Sequence, residues 1–387
     1  MRILLIKNIF ADAATGGAEL LCHNIATLLT DRGHELFVLA GRRRSCSDRF
    51  NVAARLMAVK PTADRAQLET LRKRIAWALC SLWNYHLTRR FIKKLKPDVI
   101  YLHNIEWITS SPLSAAAESG VRVVIHLHNH AYHDLWESVR TGSARGGIRK
   151  LFHLTPNFGS ARLIAVSQAI AGEFIDRGYS PDRVHTIHNG LPKGAFGAIP
   201  SPAERKNVIC VGEIEPHKGV DIAINTVGDL RDRGVSLFLD IIGPSGNSGY
   251  RASLDAIIAA RSLQGQVRFL GALPRETVWE KMRSAEMLLF PAVWQEPFGL
   301  VAAEAMAGGA YVIASNRGAL PEVLGQCGSL VEPTPAACAE AVLRYSALTS
   351  EEKETMRGAA RARALSLFSL DNAITLIEQE LLRENHA

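Results

Sequence analysis

Two glutamates, Glu296 and Glu304, stand on either side of a turn and a helix start in the stretch WQEPFGLVAAEAMAGG, residues 294–309. Pro297 pushes Glu296 into extended backbone, and Gly299 permits a tight turn. The residues after it read as a helix with Leu300, Val301 and Met306 on its buried side. The first turn of such a helix has free backbone N–H groups and the positive end of the helix dipole, which together favour a phosphate. Carboxylates do not bind phosphate without a metal, but they accept hydrogen bonds from hydroxyls. A diphosphate with a hydroxylated sugar on each side is a nucleotide sugar, and this pattern suits that ligand.

The elements that must position these groups are legible in the hydropathy pattern. Apolar runs at 2–7, 35–41, 98–104, 121–129, 162–167 and 184–190 are separated by helical patterns, among them 16–33 and a basic stretch near 66–96. A segment with three prolines and two glycines, about 191–206, reads as a linker. The pattern then restarts, with strands at 207–213, 236–243, 266–271, 287–293, 310–315 and 328–332 and helices near 219–233, 249–263, 274–285 and from 299. Strand–helix alternation with unalternating apolar strands indicates parallel sheets covered on both faces. The fold class is α/β, with two doubly wound, Rossmann-like domains at 1–190 and 207–368. Ligands of such sheets bind beyond the carboxyl ends of the strands, so a cleft between the two domains is the expected site.

Composition agrees with a large globular chain. The 387 residues are 47% hydrophobic and 21% charged, which excludes disordered, collagen-like and disulfide-stapled classes. No apolar run approaches the ~20 residues of a membrane span, and MRILLIKNIF reads as a first strand and not a signal peptide. The six cysteines are scattered without C-x-x-C spacing, so a reducing, cytoplasmic setting is expected. Net charge is +7 but uneven, +12 over residues 1–200 and −5 over 201–387, which points to an anionic partner of the first half.

The string E-P-F-G-L-x3-E-A-M-A resembles the E-x7-E signature of retaining glycosyltransferases of family 4, which have the GT-B fold. The resemblance covers nearly the whole chain. It includes the Gly16-Gly17 loop, His128-Asn129 after a strand, ARLIAVSQAIAGEFIDRG, RVHTIHNGLP, VGEIEPHKGVD, VRFLGALP and GALPEVL, in the right order and spacing. It implies that the second domain holds the donor, with Glu304 on the ribose hydroxyls and Glu296 on the donor sugar. The N–H groups near Phe298, Gly299 and Leu300 would contact sugar and diphosphate, and Lys218 would neutralise the leaving diphosphate. It also implies that Gly16 and Gly17 face the diphosphate and acceptor, and that His128 contacts the transferred sugar. The helical stripe over 369–387 would cross back to the first domain. One position departs from the family pattern: Glu213 stands where an arginine is expected to clamp the diphosphate. Either Glu213 points away, or another base such as His217 or Arg268 substitutes, or donor binding is weakened.

His126, His128 and His130 alternate onto one face of an extended segment, with His133 beyond. No carboxylate or cysteine cluster completes a metal site there, and no D-x-D motif ends a strand. No metal or other cofactor is therefore expected, and the resemblance implies front-face attack with closure of the cleft about 191–206. Residues 60–96 hold ten Lys/Arg against two acids, with Trp77, Trp83, Tyr85 and Phe91 interleaved. Such a stretch suits contact with an anionic membrane or a lipid-linked acceptor, or else is a solvated helix whose aromatics pack on the sheet. Arg42-Arg43-Arg44, placed after the second strand, adds to the basic character. No nucleic-acid-binding motif is present.

The expectation is thus a hexosyltransferase using a UDP-, GDP- or ADP-sugar and a glycan or glycolipid acceptor. Its setting would be cell-envelope, lipopolysaccharide or exopolysaccharide synthesis at the cytoplasmic membrane face. The alternatives are a catalytically weakened nucleotide-binding relative and a nucleotide-sugar epimerase of the same fold. A dehydrogenase is disfavoured, because no G-x-G-x-x-G follows the first strand.

Overall fold

The computed structural model describes residues 1–11, 17–44, 51–58, 71–106, 108–130, 132, 136, 157–200 and 207–383. The chain forms two compact units, one of residues 1–187 with 373–387 and the other of residues 188–372.

In the first unit, apolar β-branched runs form seven strands: β1 (Arg2–Ala11), β2 (Glu35–Arg44), β3 (Asn51–Arg55), β4 (Val99–Leu102), β5 (Arg122–Leu127), β6 (Arg162–Ala165) and β7 (Val184–Thr186). They pair in the order β3-β2-β1-β4-β5-β6-β7, every pair parallel. Ile3 to Ile6 in β1 and all of β4 and β6 are buried on both faces, which is why these runs lack alternation. β1 runs four residues past its expected end. β3 has no counterpart in the sequence reading. The arginine triplet 42–44 lies within β2, paired to β1 at Ile9, Phe10 and Ala11, and not after the strand.

The second unit repeats the topology with six strands: β8 (Asn207–Val211), β9 (Leu239–Ile242), β10 (Val267–Gly271), β11 (Ala285–Phe290), β12 (Tyr311–Ser315) and β13 (Ser329–Val331). Their order is β10-β9-β8-β11-β12-β13, again all parallel. The sheet order therefore reverses between β8 and β11, the place where an open parallel sheet leaves a crevice for ligand. Val208, Cys210, Leu239, Ile241, Met287, Leu289 and Ile313 build one core layer with the helix Val220–Asp232. Tyr345 stacks on Tyr311 at 4.0 Å beneath the Pro335–Ser346 helix. Residues 191–200 fold with this unit: Leu191 bridges Ser369, and Arg361 donates to the carbonyls of Phe196 and Gly197. Residues 201–206 lie outside the described residues.

The final helix, Leu370–Leu382, buries Ala373, Ile374, Ile377 and Leu381 and leaves Leu382 exposed. Its polar side is anchored within the first unit. Glu378 accepts from Arg32 and pairs with His34, both at 2.6 Å, and Glu380 forms a buried ion pair with Arg162. Losing one member of a buried pair leaves a bare charge, which costs about 3–5 kcal/mol. Arg162 keeps His185 as a second partner at 2.7 Å, so the lower end applies. Glu380→Ala is expected to lower the unfolding free energy by about 3 kcal/mol in urea titrations; an unchanged midpoint and slope would show that the pair does not anchor the helix.

Candidate functional site

Turns after β8 and β11, the strands at the reversal point, carry the residues singled out from the sequence. After β8 the chain passes through a single 3-10 turn, Pro216–Lys218, and a left-handed Gly219 before the helix Val220–Asp232. This turn aims Lys218 at the segment after β11. Its Nζ lies 2.9 Å from Glu296 Oε2 and 4.6 Å from the centre of the Trp294 ring. The Trp294 indole N–H donates to the same carboxylate oxygen at 2.7 Å.

Glu296 is buried, and its backbone is fixed from a third segment. Its carbonyl accepts from Ala319 N at 2.8 Å, and Gly318 N donates to Gln295 Oε1 at 2.6 Å. A Cβ at Gly318 would lie 2.3–2.4 Å from backbone atoms of Glu296, so only glycine fits there. Phe298 is buried against His188 and Phe368.

Gly299, at φ 92°, turns the chain into the helix Leu300–Ala307. The left-handed φ explains the glycine, and its absent side chain leaves room for Leu320, which a Cβ would meet at 2.7 Å. The expected one-sided burial needs correction. Ala302 to Ala307 are buried all round, whereas Leu300 and Val301 at the helix mouth are half-buried. The helix is enclosed because it packs on Ser350–Leu367 as well as on the sheet.

Glu304, only 4% exposed, accepts from Arg275 and, at 3.1 Å, from the Trp279 indole. Burial pushes its carboxyl above the usual range, and the Arg275 guanidinium pulls the other way. Arg275 and Trp279 were not among the sequence-derived candidates. Their i, i+4 spacing at the start of the Arg275–Ser284 helix is the signal that could have shown they share a partner.

Glu213 is exposed to solvent. Arg268, one possible substitute for the missing arginine, forms a two-pronged pair with buried Asp240 at 2.8 and 3.0 Å and is committed to the β9–β10 pair. His217 packs edge-on to Trp294 at 5.0 Å, and burial with the Lys218 charge lowers its pKa, so it is a poor standing cation.

In the first unit, Gly16 lies outside the described residues, and Gly17 opens the helix Gly17–Asp31. His128 follows β5 and is joined by His103, which follows β4 and was missed because one histidine after a strand carries no spacing. His103 Nδ1 and His128 Nε2 are 2.7 Å apart, and Tyr101 hydrogen-bonds His126 Nδ1 at 2.6 Å. The rings stack: His126 on His128 at 4.2 Å and 22°, His103 on His128 at 5.0 Å and 16°. His103, His126 and His128 bring ligand atoms within 4.8 Å of one another. Near-parallel ring planes nevertheless send their in-plane lone pairs along separate planes, which is a poor set for one tetrahedral ion. His130 does not join them; it pairs with Glu173 at 2.9 Å. His133 lies outside the described residues. Buried Lys7 in β1 adds positive charge beside the stack, and among the described residues His128 Nδ1 has no hydrogen-bond partner.

Residues 15–193 match the family described as Glycosyltransferase Family 4, and residues 195–363 match Glycosyl transferases group 1. The chain is 27% identical to the glycogen synthase of Mycobacterium tuberculosis over 99% of this chain and 94% of that protein. It is 28% identical to the phosphatidyl-myo-inositol mannosyltransferase of Mycolicibacterium smegmatis, over 82% and 77%. Among solved structures, Anabaena HepE in complex with UDP-glucose superposes with a TM-score of 0.68 at 21% identity, covering 99% of each chain.

The histidine stack has a consequence for stability. Burial holds His103 and His128 well below their ordinary pKa and His126 down at about 3. As the pH falls below about 6.5, the unfolded chain takes up protons that the folded chain does not. The stabilisation is therefore whole above that pH and is lost on acidification, by up to about 1.4 kcal/mol per pH unit for each ring. The thermal midpoint should be lower at about pH 5 than at about pH 7.5, and His126→Gln should flatten that dependence. An equal slope in the variant would remove His126 from the account.

Proposed function

Because this chain belongs to the family 4 glycosyltransferases of GT-B fold, we propose that it transfers a hexosyl group from a nucleotide sugar to a hydroxyl of a glycan or lipid-linked acceptor, with retention and without a divalent metal. The observation that carries this reading is the pair Glu296 and Glu304 on either side of the Gly299 helix mouth, with Lys218 beside the first carboxylate at the sheet reversal. Glu304 takes the ribose hydroxyls and Glu296 the sugar hydroxyls. The N–H groups opening the Leu300–Ala307 helix and the Lys218 ammonium meet the diphosphate.

In the reaction the bond from the anomeric carbon to the diphosphate oxygen breaks, and its electron pair stays with the diphosphate. The acceptor oxygen bonds to the same face of that carbon, and its proton passes to the departing phosphate. Protein groups supply position and charge and need form no covalent intermediate. His128, by its place in the motif, contacts the transferred sugar. That HepE is described with UDP-glucose supports a nucleotide-sugar donor, and UDP-, GDP- and ADP-sugars all remain candidates.

The name of the phosphatidyl-myo-inositol mannosyltransferase relative supports a lipid acceptor. So does the helix Leu71–Leu95. Ile75, Leu79 and Trp83, spaced at i, i+4 and i+8, are 50%, 56% and 55% exposed, and exposed Arg89, Arg90, Lys93, Lys94 and Lys96 follow them. Tyr85 is buried and packs inward, so the aromatics divide between the two readings made from sequence. An apolar stripe beside cations suits the interface of an anionic bilayer. Among the described residues, no helix is long and apolar enough to cross a membrane.

Thermal-shift screening of UDP-, GDP- and ADP-sugars identifies the donor. With that donor, Glu304→Ala should weaken nucleotide binding roughly 10–100-fold, while Glu296→Ala should mainly reduce transfer. EDTA should leave turnover unchanged. Wild-type turnover in either variant, or loss of activity with EDTA, would refute the corresponding assignment. In sedimentation with phosphatidylglycerol vesicles, the protein should pellet at low salt, and Trp83→Ser or Leu79→Ser should reduce that by roughly fivefold or more. Equal pelleting by the variants would rule out this helix as the contact.

A further inference from the structure

Glu304 is held asymmetrically. Arg275, through Nη2, and Trp279, through its indole N–H, both donate to Oε1. Among the described residues, no hydrogen bond reaches Oε2. Arg275 makes this contact end-on, by one nitrogen, while its Nε is buried without a hydrogen-bond partner. A carboxylate this buried would ordinarily rotate to use both oxygens, or take up a proton. Here two donors converge on one atom. Their spacing on one helix face and the enclosed Leu300–Ala307 helix hold the carboxylate against them.

We propose that Arg275 is a positioning residue of the donor site: by holding Glu304 through Oε1, with Trp279 on the same atom, it leaves Oε2 as the ionised acceptor for the ribose hydroxyls. This rests on the reading of Glu304 as the ribose-binding carboxylate. Arg275 does not touch the sugar; it acts through Glu304. The fixed guanidinium charge opposes the effect of burial and so favours the ionised form of the acceptor. Without it, burial acts unopposed and shifts the carboxyl toward its protonated form, which presents a hydroxyl where an acceptor is needed.

Ribose preference is the readout. The tightest-binding of UDP, GDP and ADP, and its 2′,3′-dideoxy analogue, are titrated by calorimetry into the wild type, Arg275→Met, Glu304→Gln and the double variant. The wild type should favour the ribose form. Arg275→Met should lose roughly tenfold or more of that preference, and Met on the Glu304→Gln background should lose nothing further. The preference of Arg275→Met should also rise between about pH 6.5 and about pH 9, more steeply than in the wild type, as the carboxyl ionises. A general structural role would weaken both nucleotides alike and leave the ratio unchanged, so an unchanged ratio overturns the proposal. If the methionine variant does not fold, Arg275→Gln takes its place. A pH-dependent preference then supports the proposal, and a pH-independent, wild-type preference overturns it. A wild type that binds nucleoside diphosphate without favouring ribose overturns the reading of Glu304 itself, and a wild type that binds none overturns the proposed function. Those two failures are therefore distinct from that of Arg275 alone.

Discussion

A carboxylate taken out of water must find a cation or strong donors, and the second unit contains two such carboxylates close to one short helix. Glu296 has Lys218 and Trp294, and Glu304 has Arg275 and Trp279. Each acid thus has one cation and one indole N–H, although the partners come from different elements. This requirement ties together the turn after β8, the segment after β11, the Arg275–Ser284 helix and the loop at Gly318. Within each pair the opposite charges stabilise one another.

The position occupied by Glu213 gains its meaning from these pairs. The family pattern implies an arginine there as a second cation for the diphosphate, but this chain has an exposed acid. Of the two residues that could replace the arginine, Arg268 is spent on Asp240 and His217 is disfavoured as a cation by burial and by Lys218. In the proposed reaction, Lys218 and the helix N–H groups are what remain to meet the departing charge. The first unit shows a different solution to burial, since His103, His126 and His128 avoid the cost of charge by being neutral and stacked.

Much of the architecture was legible because both sheets are parallel and covered on both faces. Strands such as β4 and β12 must then be apolar throughout, and their run lengths mark them directly. β3 escaped because a short strand at a sheet edge shows no such run. The Ser350–Leu367 helix was also passed over, although its capping box, Thr349 with Glu352, is a local signal. The failure at Leu300 and Val301 has another origin: periodicity assumes one buried face, and the Leu300–Ala307 helix is enclosed on nearly all sides.

By itself the sequence determined the alternation of elements, the family motif, and the turn and helix start between Glu296 and Glu304, because these follow from spacing along the chain and from the backbone limits of proline and glycine. It could not determine what neutralises a buried acid. That choice belongs to residues far apart in number: Lys218 is 78 positions from Glu296, and Arg275 is 29 from Glu304. Only the folded sheet order, which sets β8 beside β11, brings the first pair within hydrogen-bond reach, and only the packing of two helices brings the second. Charge pairing depends on distance through space, and tertiary structure alone supplies that distance.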